Sequence, residues 1–206
     1  MATAFSENLT AEQQSQVLQV FQQFQHPSLQ KDLIALNTLK KVEKGGDVLR
    51  GELQLPFAWN TGVEQVKQQL SDALLKVTDS KEIKWVVNYQ IATLKRANNQ
   101  PAVKGVKNII AVTSGKGGVG KSSVSVNLAL ALQAQGARVG ILDADIYGPS
   151  VPHMLGAPHQ RPTSPDNQHI TPIKAHGLSA NSIGFLMDED NATIWRGPMA
   201  SSALSQ

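Results

Sequence analysis

The sequence contains no cysteine among its 206 residues. It can therefore form no disulfide bond, and it offers no thiolate to zinc or to an iron–sulfur cluster. It also has no apolar stretch approaching the ~20 residues that cross a bilayer. The first residues, MATAFSENLTAEQQ, lack the basic start and the apolar run of a secretory signal. These absences predict a cytoplasmic protein with no membrane partner.

A concentrated charge of one sign is also missing. The net charge is only +3, and residues 1–105 hold 12 Lys/Arg against 10 Asp/Glu, while residues 106–206 hold 7 against 6. Neither half shows the clustered basic residues of a nucleic-acid footprint. An apolar content of 41% and a charged content of 17% are ordinary for a globular protein. We expect a folded protein that does not bind nucleic acid.

The first 91 residues alternate between helical and strand patterns. Thr10 and Gln13 have the spacing of a capping box, and four apolar residues that follow share one helical face until His26-Pro27. Residues 32–42 read as part helix and part strand. After the Lys44–Asp47 turn, strand alternation predicts a strand to Leu55, helical spacing predicts a helix over about 62–77, and alternation over 83–91 predicts another strand. Residues 1–91 are thus predicted to form a small α+β domain.

Residues 92–106 are polar, contain Pro101 and Gly105, and are predicted to be a linker. After them the pattern becomes that of a βαβ unit. It consists of a strand over Asn108–Thr113, a Gly-rich loop, a helix over Lys121–Gln135 capped by Gly136, and a buried strand over Arg138–Leu142. In that helix, one apolar stripe is formed by Val124, Leu128, Ala131 and Leu132. Residues 107–206 are therefore predicted to form an α/β domain with a parallel sheet.

The remaining segments have weaker signals. Residues 147–172 read as a long loop, 178–186 as a strand, and 199–206 as the start of a helix. The histidines in or near the long loop do not have the i, i+4 spacing of a helical metal pair, and we expect them at the surface. These histidines are His153, His159, His169 and His176.

The Gly-rich loop matches the phosphate-binding pattern G-x-x-x-x-G-K-[ST]. Its residues are Gly115, Lys116, Gly117, Gly118, Val119, Gly120, Lys121 and Ser122. Glycines allow a tight loop whose backbone N–H groups face phosphate oxygens, and the following helix adds the positive end of its dipole. Lys121 would bind the β- and γ-phosphates, and the Ser122 hydroxyl would ligate Mg²⁺. The placement between a strand and a helix predicts an ATP site rather than a simple turn.

Two further features lie near this loop. Lys116 is an extra cation, and it either faces solvent or reaches a partner's nucleotide across a dimer interface. Asp143 and Asp145 follow the second strand, where an extended chain would point both carboxylates the same way at the ligand-binding edge of the sheet. One carboxylate would hold a magnesium-bound water and the other would orient the attacking water.

GKGGVGKS resembles the deviant Walker A motif of the MinD/ParA/nitrogenase-iron-protein class. Within that class, LDADIYGPSVPHMLG, SIGFL and WRGPMAS resemble the Mrp/ApbC iron–sulfur cluster carrier ATPases, and FQHPSL and IATLKR fit the small domain that precedes their ATPase domain. The resemblance implies a homodimeric ATPase that binds an iron–sulfur cluster and passes it to apoproteins. It also implies that Lys116 acts across the dimer and that Asp145, beside Asp143, orients water.

Two family elements are missing from these residues: a second switch resembling DxPPGTGD and a CxxC pair that holds the cluster. The sequence therefore looks like the N-terminal part of a longer protein, with a truncated NTPase domain and cluster ligands beyond residue 206. The alternative within the same class is a positioning ATPase of the MinD or ParA kind, acting on membrane or DNA. A remnant without hydrolysis is a third possibility.

Overall fold

The computed structural model describes residues 3–93, 103–146, 148–166 and 169–186. The chain divides into two compact units, Met1–Ile109 and Ile110–Gln206. The predicted helix start at 199–206 and most of the predicted linker lie outside the described residues.

The first unit contains a four-stranded sheet in the order β1-β2-β3-β4. Strands β2 and β3 form an antiparallel hairpin, whereas β1 pairs with β2, and β4 with β3, in parallel. Its elements are β1 (Ala4–Phe5), α1 (Ala11–Gln22), β2 (Leu39–Gly45), β3 (Val48–Leu55), α2 (Asn60–Thr78) and β4 (Glu82–Tyr89). The α+β architecture predicted for this segment is thus present, although residues 33–37 form turns rather than a helix.

Local chemistry sets where the first helix begins. The Thr10 hydroxyl accepts a hydrogen bond from the Gln13 backbone N–H at 3.2 Å, and the Gln13 side chain accepts from the Thr10 N–H at 3.1 Å. This confirms the predicted capping box, which satisfies two N–H groups that the helix itself leaves unpaired. Val17, Val20 and Phe21 on this helix are buried against α2 and the sheet.

Aromatic rings cluster at the start of α2. The Trp59 ring lies 4.3 Å from the His26 ring and about 6 Å from those of Phe24 and Phe57, measured between centroids. Trp59 also covers Gly62, where any side chain would overlap the indole ring. The close approach of the ring to the helix backbone therefore requires glycine at this position.

The second unit contains a three-stranded sheet in the order β5-β7-β6. Strand β5 pairs with β7 in parallel, and β6 pairs with β7 in antiparallel. Its elements are α3 (Lys121–Ala134), β5 (Gly140–Asp143), α4 (Val151–Met154), β6 (Ile173–Ala175), β7 (Leu178–Ser182) and a 3₁₀ turn (Ile183–Phe185). Helix α3 packs against β5, β7 and α4. Gly136 follows the end of α3 and has a φ of +91°, the left-handed conformation of a glycine that terminates a helix, as predicted.

The predicted strand over Asn108–Thr113 is wrong for this structure. These residues have no regular secondary structure, and the Ile109 and Ile110 side chains are 71% and 60% exposed. A strand requires a neighbour for its N–H and C=O groups, and no described strand pairs with this segment. The apolar composition correctly indicates β propensity, but it cannot supply the partner.

The apolar stripe read from the spacing in α3 is not the buried face of this helix. Val126 and Ala129 are the buried residues of this helix, while Val124 and Leu128 are 55% and 37% exposed. Apolar residues lie on nearly every side of α3, so their spacing does not select one face. The packing against β5, β7 and α4 selects it instead. On β5, Leu142 is 63% exposed, so the predicted burial of that strand is wrong at this residue.

Other predictions need smaller changes. The long loop over 147–172 contains the single helical turn α4 and an isolated bridge between Thr163 and Thr171. The strand predicted over 178–186 ends at Ser182, and a 3₁₀ turn follows.

Candidate functional site

The predicted phosphate loop is an open loop that leads directly into α3. Residues 113–120 are all exposed to solvent. Gly118 and Gly120 have φ of +71° and +92°, a conformation that L side chains adopt only at a cost. The backbone conformation therefore favours glycine at both positions, including Gly120, where the pattern requires it, before any ligand is considered.

The first residue of α3 is Lys121, and no side chain caps the helix among the described residues. The residue before the helix is Gly120, and the first turn contains no acidic residue. The N–H groups of that turn therefore remain available, and the helix dipole adds positive potential. Uncapped amides beside a lysine form an anion-binding arrangement suited to a phosphate group.

The cations of the loop have no acidic partner within the part of the chain that the structure describes. None of the described ion pairs includes Lys116 or Lys121. Lys116 is exposed, and Lys121 and Ser122 are half-buried at the beginning of the helix. A phosphate could therefore approach both lysines without displacing a carboxylate.

Ser114 shapes the start of the loop, and the sequence reasoning did not identify it. Its hydroxyl accepts a hydrogen bond from the Lys116 N–H at 3.1 Å and donates to the Lys116 carbonyl at 3.2 Å. Serine hydroxyls often form such local turns. Its position directly before the glycine run is the sequence signal that could have revealed this role.

The prediction placed Asp143 and Asp145 in one extended segment, but in the structure only Asp143 belongs to the strand β5. β5 ends at Asp143, which is 7% exposed, whereas Asp145 is exposed. The Asp145 backbone N–H donates to Asp143 Oδ1 at 3.1 Å, so the chain turns between them. That turn, which the motif spacing did not indicate, gives the two residues different surroundings.

Ser182 is the partner of Asp143 that sequence reasoning missed. Its hydroxyl donates to Asp143 Oδ2 at 2.9 Å. The two residues lie opposite each other in the parallel pairing of β5 with β7. They are 39 positions apart along the chain, so only the strand pairing brings them together.

The connection from α3 to β5 comprises only residues 135–139. Because this connection is short and α3 packs on β5, the helix and the strand run in opposite directions. The phosphate loop at the beginning of α3 and Asp143 at the end of β5 therefore lie toward the same edge of this unit. Ligands bind at that edge in parallel α/β sheets. A small depression at Asp143 is lined also by Asn181 and Ser182, but by no residue of the loop.

The histidines take different positions in the second unit. The His169 ring contacts Asp166 at 2.5 Å, and His176 Nε2 lies 3.1 Å from the Leu155 carbonyl oxygen. Across the described ranges, no group of three or more His, Cys, Asp and Glu side chains is arranged to hold a metal ion. No described helix is both long enough and apolar enough to span a membrane.

Comparison with known proteins places residues 105–206 in the ParA family, described as NUBPL iron-transfer P-loop NTPase. An "Iron-sulfur cluster carrier protein" of Haemophilus influenzae is 87% identical over 206 residues, which are 100% of this chain and 56% of that protein. A protein of the same name from Escherichia coli K12 is 61% identical over 183 residues, covering 89% of this chain and 50% of that protein.

Among solved structures, a nucleotide-binding protein in complex with ADP from Archaeoglobus fulgidus is 45% identical. The match covers 36% of this chain and 31% of that one, with a TM-score of 0.34.

The chain spans about half the length of the curated relatives it matches. It belongs to the iron-transfer P-loop NTPase family. The family resemblance and the α/β P-loop fold class predicted from the motifs are both confirmed.

Proposed function

We propose that this chain binds ATP with Mg²⁺ at residues 115–122, and that the complete protein hydrolyses ATP and carries iron–sulfur clusters to apoproteins in the cytoplasm. The observation that carries the proposal is the open glycine loop ending at the uncapped N-terminus of α3, in a segment that matches the iron-transfer family. The names of the relatives favour a carrier over a positioning ATPase.

The binding of the nucleotide follows from the electrostatics of the loop. The uncapped N–H groups of the first turn of α3 and the Lys121 ammonium supply positive charge where a triphosphate would lie. The positive φ angles at Gly118 and Gly120 turn the backbone tightly without a Cβ. Gly115, Gly117 and Val119 complete the loop and are also exposed.

Mg²⁺ prefers hard oxygen ligands and keeps several of its waters. The Ser122 hydroxyl, on the first turn of α3, would be a ligand. When bound, the ion supplies charge neutralisation for the phosphates. Asp145 then orients the attacking water, and Asp143 supports it from the interior.

In a homodimer, Lys116 would act on the nucleotide of the partner subunit. Its side chain is exposed, and its backbone is held by Ser114. A cation fixed at the base of an exposed loop can reach the phosphates of a second subunit, as an arginine finger does. Lys116→Ala is then expected to lower ATP turnover more than ATP affinity.

The iron–sulfur cluster is cargo in this proposal. The 206 residues contain no cysteine, so the thiolates that hold the cluster would come from another part of the complete protein. Residues 1–91 would form an iron–sulfur-assembly-type domain, 92–106 a linker, and 107–206 the NTPase domain. Apoproteins that require a cluster are the expected recipients.

The nucleotide site is tested by titrating ATP into Lys121→Ala and measuring affinity calorimetrically, with and without Mg²⁺. Loss of a charge-assisted hydrogen bond costs about 1.5–3 kcal/mol, so affinity should fall roughly 10- to 150-fold. Lys104→Ala, which removes an exposed lysine outside the loop, is the matched control and should bind as the wild type does. Equal affinity in both variants would refute the site.

The carrier function needs a separate experiment on the complete protein. Anaerobic reconstitution with iron and sulfide should give iron–sulfur absorbance, and mixing with an apo-ferredoxin should move that absorbance to the recipient. Turnover of ATP is measured in the same preparation by phosphate release. A colourless protein that still hydrolyses ATP would favour the positioning ATPase.

A further inference from the structure

Asp143 and Ser182 form a buried polar pair in the second unit. Asp143 is 7% exposed and Ser182 is 2% exposed, and they are the buried polar residues of this unit within the described ranges. A carboxylate withdrawn from water needs hydrogen bonds to replace its hydration. The pair therefore has a physical reason to persist in the folded chain.

Each polar atom of the pair has a defined role. The Ser182 Oγ accepts a hydrogen bond from the Gly184 N–H at 3.1 Å, and its own hydrogen is directed to Asp143 Oδ2 at 2.9 Å. The other oxygen, Asp143 Oδ1, accepts from the Asp145 N–H at 3.1 Å. A chain of hydrogen bonds thus runs from the turn after β7 to the backbone of Asp145.

These hydrogen bonds fix the direction in which the Asp143 carboxylate faces. With Oδ2 held by Ser182, Oδ1 can face only the backbone that follows β5, and it receives the Asp145 N–H there. Without the hydroxyl, Oδ2 would be a buried carboxylate oxygen lacking this donor, and rotation of the carboxylate would release the bond to Asp145. The backbone position from which the Asp145 side chain extends therefore depends on a hydroxyl in another strand.

We propose that Ser182 is a positioning residue for ATP hydrolysis, acting through Asp143 on Asp145. The inference rests on the proposed function, in which Asp145 orients the water that attacks the γ-phosphate. In that step the water oxygen bonds to phosphorus as the bond to the β,γ-bridging oxygen breaks. ADP leaves with the electron pair of that bond, and both protons of the water remain with the product as dihydrogen phosphate. Ser182 touches none of these atoms, so its effect should fall on kcat and leave ATP binding intact.

The experiment compares Ser182→Ala, Ser182→Thr and Ser182→Cys in the complete protein, with KM and kcat measured by phosphate release and ATP affinity by calorimetry. Loss of a hydrogen-bond partner that orients a metal ligand typically costs about 10- to 100-fold in activity, and we expect a loss of kcat of that order in Ser182→Ala. KM and ATP affinity should stay within about twofold. Ser182→Thr keeps the hydroxyl and should recover most of kcat. Ser182→Cys fills the site with a weaker donor and should lie between them.

Ser179→Ala is the matched control. It also removes a hydroxyl from β7, but that hydroxyl contacts the Lys174 ammonium rather than a carboxylate. It should turn over ATP like the wild type. Unchanged kcat in Ser182→Ala, or a loss that Ser182→Thr does not recover, would overturn the positioning role. So would a parallel loss of ATP affinity, which marks a structural role only. A wild-type protein without ATP turnover would instead refute the proposed function itself.

Discussion

Replacing Gly120 by alanine tests why the phosphate loop has glycine at this position. The reason is either the backbone conformation or a lack of room for a side chain. An added Cβ at Gly120 meets no atom within 4 Å, yet φ at this residue is +92°. Gly117 is also open to 4 Å, but its φ lies outside the left-handed region. The two positions thus differ in the conformation that a side chain must accept, not in the room available to it.

The expected energies follow from that difference. A left-handed conformation costs an L residue about 1–2 kcal/mol. Alanine also lowers the entropy of the unfolded chain, which stabilises either variant by about 0.4–1 kcal/mol. Because the unfolded-state contribution is common to both, Gly120→Ala should be less stable than Gly117→Ala by roughly 1–2 kcal/mol. That difference is about a factor of 5–30 in the ratio of folded to open forms.

Hydrogen exchange of the α3 amides, followed by mass spectrometry, measures this difference where it arises. The exchange rates of α3 in Gly120→Ala should exceed those in Gly117→Ala by that factor, while the amides of α2, in the other compact unit, serve as the internal reference. Equal exchange in the two variants would refute the reasoning, because the strain at φ +92° would then carry no energetic cost.

Two further predictions concern the first unit. Gly62→Ala forces the Trp59 ring away from α2 and should lower the free energy of unfolding by about 1–3 kcal/mol, measured by urea denaturation; Gly45→Ala, where an added Cβ meets nothing, should change it little. The Lys41 ammonium, 2.6 Å from Glu43, holds the pKa of that carboxyl below its ordinary value, so Lys41→Ala should raise this pKa in an NMR titration. Since the folded pKa is depressed, the associated stability is present above the unfolded pKa and is lost as pH falls through the folded pKa; a pKa unmoved by the substitution would contradict the assignment.

Much of the first unit follows from local sequence. The Thr10–Gln13 capping box, the strand alternation before Leu55 and the helical spacing after Gly62 each correspond to an observed element. These predictions succeed because each apolar pattern has the period of only one type of element. In addition, the elements that pack together lie near one another in the chain. The phosphate loop is equally local, since its glycines and Lys121 are consecutive and lead directly into a helix.

The sequence by itself determined the presence of this loop, the helix that follows it and the family to which the chain belongs. Tertiary structure decided the rest, because pairing and burial depend on distant residues. It left the apolar segment 108–113 without a described strand partner, and it buried Val126 rather than Val124 on a helix that is apolar on most sides. It also separated Asp143 from Asp145 by burial and joined Asp143 to Ser182 across two parallel strands. No spacing within the motif contains that last contact, because it exists only once β5 and β7 have paired.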